Sequence, residues 1–329
     1  MRATAACFAL LACLAAAQDT AVFRATSELV LLDVQVVHSK TKTATGQLQA
    51  RDFELQEDGV RQEISVFGLE QYPLSIVLLF DLTDSVRGVL RRLAASAGTA
   101  LEHLRPEDEV AVMAYAASAQ LVDGFTTDRA STVAAIGRAV TMRPPEAAFF
   151  NEAVYQAAQQ LERSRNPMSR RVIIWLTDNL PNAPSPSNLV HNAKSLNGVP
   201  PHSEAVAIRE LHESGTVVTA LLLKDPLAAL WAEPMMAFEA AARKRNPAGD
   251  AHKYAEITGG LSPGLRGKNV EARLAEAIDD LRSRYTIGYR PTVDKPAGTF
   301  CRVHVALAPG APLRPQEWRV LLREGYYRK

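Results

Sequence analysis

Ser75-Ile76-Val77-Leu78-Leu79-Phe80 runs directly into Asp81-Leu82-Thr83-Asp84-Ser85. The first six residues form a run of strand length that stays apolar instead of alternating. A strand covered on both faces by helices in a parallel sheet reads this way. Further along, Arg171-Val172-Ile173-Ile174-Trp175-Leu176 meets Thr177-Asp178-Asn179 in the same manner. Both runs end in hard oxygen groups, and in open parallel sheets ligands bind in the crevice beyond the carboxyl ends of the strands. Carboxylates and hydroxyls gathered there suit a hard divalent cation such as magnesium. The two runs together predict a metal site at the top of an α/β domain.

Outward from these strand ends, the middle of the chain alternates between helix and strand. Val86 to Leu104 sets Val89, Leu93, Ala97, Leu101 and Leu104 on one helical stripe. Val110 to Tyr115 predicts a strand, and Gln120 to Val122 a short one. Asn151 to Leu161 predicts a helix with Val154, Ala157, Ala158 and Leu161 inward, and Ser203 to Glu213 another. Thr216 to Leu223 is again a continuous apolar strand, and Pro226 to Arg245 has helical composition interrupted by Pro234. Val270 to Leu281 closes the set, while Pro181 to Pro201, rich in Pro, Asn and Ser, reads as a loop leaving the Asp178 strand. Alternation of this kind indicates an α/β fold with a doubly wound, mainly parallel sheet.

Both ends of the chain differ from this middle. Leu29 to Val37 reads as a strand, and Phe53 to Glu57 and Val60 to Phe67 as two strands around Asp58-Gly59. Asp-Gly between such runs is a strong hairpin signal, because both turn positions favour positive φ. Near the C-terminus Tyr285 to Tyr289, Thr299 to Leu307 and Trp318 to Leu322 read as three more strands. Neither arm is long enough to bury a good core alone. The two arms are therefore expected to pair in one small β domain, with the α/β unit inserted between them.

The composition, 47% hydrophobic and 22% charged over 329 residues, excludes a disordered chain and leaves room for one large or two modest domains. Met1-Arg2 followed by the apolar, small-residue stretch Ala3 to Ala17 reads as a secretory signal peptide cleaved before Gln18. No later segment approaches the roughly 20 apolar residues of a transmembrane helix. Leu10-Leu11-Ala12-Cys13 also resembles a lipoprotein processing box, although it sits very early in the apolar stretch. The expected location is secreted or periplasmic. Cleavage before Gln18 removes Cys7 and Cys13 and leaves Cys301 alone, so no intrachain disulfide can form. It also removes Arg2, which lowers Lys+Arg from 37 to 36 and balances the 36 Asp+Glu. A neutral mature chain argues against nucleic acid or an anionic membrane as partner.

Asp81, Thr83 and Ser85, between an apolar strand and a helix, make an Asp-x-Thr-x-Ser motif. It resembles the first motif of von Willebrand factor type A (VWFA) domains, which carry Asp-x-Ser-x-Ser there in a metal-ion-dependent adhesion site. Leu176-Thr177-Asp178 is similar to their later strand-end Asp motif. The flanks Asp52 to Gly59, Ile257-Thr258-Gly259-Gly260, Leu281 to Tyr285 and Arg323 to Tyr327 look like the VWFA-related proteins abundant in acidobacteria. The resemblance implies that Thr83 and Ser85 ligate magnesium (or manganese) directly, with Asp81 and Asp178 acting directly or through water. Together with the strand and helix reading, the expected division is a signal peptide at 1–17, an N-terminal β arm at 18–70, a VWFA-like α/β domain at 71–284 and a C-terminal β arm at 285–329. It also implies a non-enzymatic binding or adhesion module whose metal takes an acidic side chain from a protein partner. One position departs from the family pattern, because Ala148 stands where a Thr ligand belongs. Glu146, Asn151 or water would then complete the shell.

Other readings of these residues are weaker. A strand-end Asp can simply cap the following helix, but two such Asp residues with Thr83 and Ser85 favour a site. Asp84 is expected to face solvent. Ser85 lacks a Gly-x-Ser-x-Gly setting, and the His residues form no His-Glu-x-x-His. Cys301 is expected as a small buried apolar residue. The rival function is a phosphoryl-transfer enzyme of haloacid-dehalogenase type with Asp81 as nucleophile, its acidic pair mimicked by Asp279-Asp280. That pair, however, falls inside an amphipathic helix, and only Lys194 and Lys224 stand as candidate lysines.

Overall fold

The computed structural model describes residues 29–45, 47–69, 72–116, 119–143, 149–179, 202–223, 249–265 and 270–329. The chain enters through β1 (Val30–His38), β2 (Phe53–Glu57), β3 (Val60–Gln62) and β4 (Ile64–Gly68). Asp58 and Gly59 form the tight turn between β2 and β3, both with positive φ (47° and 82°). Val60 to Phe67 is not the single strand expected. It breaks at the exposed Glu63, because β3 pairs with β2 whereas β4 crosses to another sheet. The buried Gln62 fixes this corner. Its amide donates to Thr292 Oγ1 at 3.2 Å and accepts from Thr292 N at 3.1 Å.

The α/β unit follows: β5 (Leu74–Asp81), α1 (Asp84–Leu101), β6 (Glu109–Tyr115), β7 (Ala119–Thr126), α2 (Arg129–Thr141), α3 (Phe150–Glu162) and β8 (Arg170–Thr177). Among the described residues it continues with α4 (Glu204–Ser214), β9 (Val217–Leu223), α5 (Ala251–Ile257), β10 (Gly264–Leu265) and α6 (Val270–Arg282). The sheet order is β10-β9-β8-β5-β6-β7, with every pair parallel except β6 with β7. The expected short strand at Gln120–Val122 is longer, spanning Ala119–Thr126. Bulges at Val110/Val112 and Val112/Met113 let this edge strand carry Asp123 and Gly124.

Strand side chains alternate between two cores, as period-2 geometry requires. Ile76, Leu78 and Phe80 of β5 join α1, α2 and α6 on one face. Val77 and Leu79 join α3, α4 and α5 on the other. The fold is α/β with a doubly wound, mainly parallel sheet.

The C-terminal residues form β11 (Tyr285–Tyr289), β12 (Phe300–Leu307), β13 (Trp318–Leu321) and β14 (Gly325–Tyr327). They interleave with the N-terminal strands in two antiparallel sheets, β13-β1-β11-β4 and β14-β12-β2-β3. A third core made only of residues from the two arms, among them Leu32, Val34, Phe53, Tyr285, Ile287 and Cys301, lies with them. The readings of 1–17, 181–201 and 226–245 lie outside the described residues.

Candidate metal centre

Asp81 ends β5 fully buried, at the carboxyl edge of the central sheet. Its Oδ1 accepts from Thr83 N at 2.9 Å, which turns the chain into α1. Its Oδ2 accepts from Tyr115 OH and from Thr177 Oγ1, each at 3.0 Å. Tyr115 OH itself accepts from the Trp175 indole at 3.0 Å. The ends of β5, β6 and β8 are thus joined through one carboxylate. Burial, followed by the charge of Asp178, pushes the Asp81 carboxyl up to about 6. A neighbouring cation would reverse that shift.

Thr83 occupies the N-cap position of α1, yet its hydroxyl makes no cap hydrogen bond. Instead Thr83 Oγ1 lies 3.2 Å from Ser85 Oγ, and Ser85 Oγ donates to Asp178 Oδ2 at 2.5 Å. Asp81, Thr83, Ser85 and Asp178, all expected from the sequence, therefore come together, with Thr83, Ser85 and Asp178 less buried than Asp81. The set is all oxygen, with two carboxylates and two hydroxyls, and its chemistry fits a hard divalent cation. Asp84 faces solvent and pairs with Arg87 at 3.2 Å. Arg87 also donates to Leu82 O at 3.0 Å and Met142 O at 2.9 Å, tying the end of α2 to the motif.

Several supporting residues were not singled out from the sequence. Tyr115 and Thr177 supply the donors to Asp81. Asn179, in the left-handed region at φ 59°, donates to Asp250 Oδ1 at 3.0 Å and accepts from Ala251 N at 2.8 Å. Asp250 caps α5 through His252 N at 2.9 Å, so the β8 terminus is pinned to that helix. Asn in a left-handed position and Asp before a helix are signals the sequence does carry. Ala148 and Glu146 lie outside the described residues. Asn151 Oδ1 accepts from Tyr254 OH at 2.6 Å and so serves that hydroxyl.

Two other acidic groups do not compete for this role. Asp279 and Asp280 lie in α6, and Asp279 meets His103 Nδ1 at 2.9 Å, just beyond the C-terminal end of α1. Asp81 precedes the other end of this 18-residue helix, about 27 Å long. Glu57, Asp58 and Cys301 also converge. Lys295 already reaches both carboxylates, and Tyr289 OH and Tyr326 OH donate to Glu57 Oε2 at 2.6 Å and 2.9 Å. The ammonium holds the place a metal would take. Cys301 is buried in β12, and burial raises its thiol.

Among the described residues no helix is long and apolar enough to cross a membrane. No curated protein matches the chain. Among solved structures it is similar to the conserved hypothetical protein BatB from Bacteroides thetaiotaomicron, at 14% identity over 63% of this chain and 98% of that one, with a TM-score of 0.41. It is also similar to a von Willebrand factor type A protein from Catenulispora acidiphila, at 13% identity over 85% and 75%, with a TM-score of 0.43. Proximal thread matrix protein 1 from the mussel byssus is similar at 14% identity over 68% and 50%, with a TM-score of 0.41. Residues 76–180 match the von Willebrand factor type A domain family, a span that begins in β5 and ends just past Asp178. The match identifies a von Willebrand factor type A domain within residues 76–180 of the chain.

Proposed function

We propose that this chain is an exported, non-enzymatic protein-binding module, secreted or periplasmic. It holds magnesium or manganese at Asp81, Thr83, Ser85 and Asp178 and presents it to an acidic side chain of a protein partner. The observation that carries this reading is the meeting of two strand-end carboxylates with two hydroxyls at one edge of the central sheet. One of those carboxyls is pushed up to about 6 by burial and by the other's charge. A divalent cation bound there supplies a Lewis-acidic position for an incoming carboxylate. Thr83 and Ser85 offer neutral oxygens, which leave more of the metal's charge for the partner than carboxylate ligands would. Tyr115 and Thr177 hold the Asp81 carboxylate in place, and Ser85 orients Asp178.

The test is capture from envelope extracts on immobilised mature protein in magnesium. A partner specific to this site should be released by EDTA and should not be retained by Ser85→Ala. Capture that resists EDTA would move the interface away from Asp81 and its neighbours. The mature protein is also expected to leave p-nitrophenyl phosphate intact. Metal-dependent hydrolysis lost in Asp81→Asn would replace the binding reading with phosphoryl transfer through an aspartyl-phosphate.

A further inference from the structure

One face of α6 lines a cavity of about 790 Å³ that opens between this helix, β9, the 261–264 segment and strands β1 and β13. Pockets for small organic ligands are of this size, about 300–1,000 Å³. Arg273, Glu276, Ala277, Asp280 and Leu281 border it at helical spacing, and none of Asp81, Thr83, Ser85 and Asp178 does. Asp280 is half-buried, and no group among the described residues hydrogen-bonds its carboxylate. Thr219 also borders the cavity, between Val217 and Leu221 on the face of β9 that packs toward α6. It is 4% exposed, and its hydroxyl is likewise unpartnered among the described residues. Unlike the enclosed Arg284 Nε, both groups keep accessible surface. A carboxylate and a hydroxyl thus line one cavity with no protein group to serve them, an uncommon state for polar groups so far buried.

Charge decides what these groups would receive. Burial, then Glu276 and Asp279, push the Asp280 carboxyl up to about 6 against the opposing pull of Arg284. The surroundings of that carboxylate are therefore short of positive charge. Arg284 is committed to Gln35 Oε1 at 3.2 Å, Asp33 O at 3.2 Å and Gly259 O at 2.9 Å, and Arg273 is paired with Glu276. Lys42 and Arg319, on the side of the β arms, are exposed and screened by water. Leu261, Pro263, Ala277, Leu281 and Leu321 line much of the rest, which suits carbon better than the water shell of a metal ion. We propose that this cavity binds a small organic amine, its ammonium received by the Asp280 carboxylate with Thr219 Oγ1 as a second polar contact, and its carbon skeleton against Leu261 and Leu281. The charge-assisted N–H···O bond to Asp280 is the strong contact in such a complex.

Isothermal titration of the full mature chain, free of metal at pH 7.5, with phenethylamine, 2-phenylethanol and phenylacetate tests this. Phenethylamine should bind saturably at one site, at least about tenfold tighter than the alcohol or the acid, as a hydrogen bond to a charged group implies. Asp280→Asn keeps the shape of the side chain and removes its charge, and should weaken phenethylamine at least about tenfold. Thr219→Val deletes only an unpartnered hydroxyl. It should keep the melting temperature of the free protein and weaken phenethylamine about fivefold. Equal binding of amine and alcohol would overturn the proposal, as would preference for phenylacetate. If water alone serves the two groups, no probe binds and the proposal falls. It falls too if Asp280→Asn binds phenethylamine as the parent does, and should that variant not fold, the parent's affinity in Thr219→Val has the same force.

Discussion

Burial and the neighbouring Asp178 carboxylate push the Asp81 carboxyl from 3.8 up to about 6. The folded chain therefore holds this proton more tightly than the unfolded chain. Its contribution to stability is complete below about pH 4 and is lost as pH rises through about 6. A shift of two units corresponds to roughly 3 kcal/mol. Asp280, raised to about 6 by burial and then by Glu276 and Asp279, acts in the same direction. Metal-free protein should accordingly lose stability between pH 4 and 6.5 in urea titrations. Asp81→Asn should flatten part of that slope, and Asp280→Asn the remainder. Because a cation must displace the Asp81 proton, magnesium affinity should fall as pH drops through 6. An Asp81→Asn variant with the parent's slope would remove the carboxylate strain on which the metal reading rests.

The elements show why some parts of this fold were legible in the sequence and others were not. β5 and β8 stood out because every residue of β5 and nearly all of β8 are buried, so their apolar runs are unbroken. α2 leaves only a faint apolar stripe in the sequence because its buried residues, Thr132, Ala135, Ile136 and Ala139, include only one strongly apolar side chain, although Asp128 caps it through Ala130 N and Ser131 N. The break between β3 and β4 depends on which sheet each half joins, which no local pattern records. The Ile257 to Gly260 stretch was legible only as family resemblance, and packing now explains it. Gly259 sits at φ 73°, and a Cβ there would meet the Leu322 backbone at 2.3 Å. A Cβ on Gly260 would meet Val218 O at 1.9 Å. Thr258 Oγ1 also accepts from Val218 N at 3.0 Å. These contacts dock α5 on β9 and on the C-terminal arm, where no neighbour is a flexible side-chain tip. Gly260→Ala should therefore cost more than about 3 kcal/mol in chemical denaturation. A loss under 1 kcal/mol would mean that the backbones at this junction part easily.

At the scale of the whole molecule, the division into arms 18–70 and 285–329 around an α/β domain at 71–284 is a proposal about how the chain folds. Among the described strands β1 pairs with β11 and β13, both from the C-terminal arm, and β2 pairs with β12. Truncation after Arg284 should therefore strip residues 30–68 of hydrogen-exchange protection while β5, β6 and β8 keep theirs. Protection retained in β1 would show that the N-terminal arm stands alone. The proposed ligands Asp81, Thr83, Ser85 and Asp178, by contrast, all lie within the α/β unit, and their pairing across β5 and β8 was legible because both strand ends carry their oxygens in the chain itself. Tyr115 was not legible as a partner of Asp81, since only the parallel register that sets Asp81 beside Tyr115 brings them together. Asp81, Thr83, Ser85 and Asp178 are proposed to hold a divalent cation. Isothermal titration of mature protein with magnesium and manganese at pH 7.5 tests it most directly. One saturable site per chain is expected for each ion, abolished by Asp81→Asn and weakened at least tenfold by Ser85→Ala. Heats indistinguishable from dilution for both ions, or binding that survives Asp81→Asn unchanged, would contradict it.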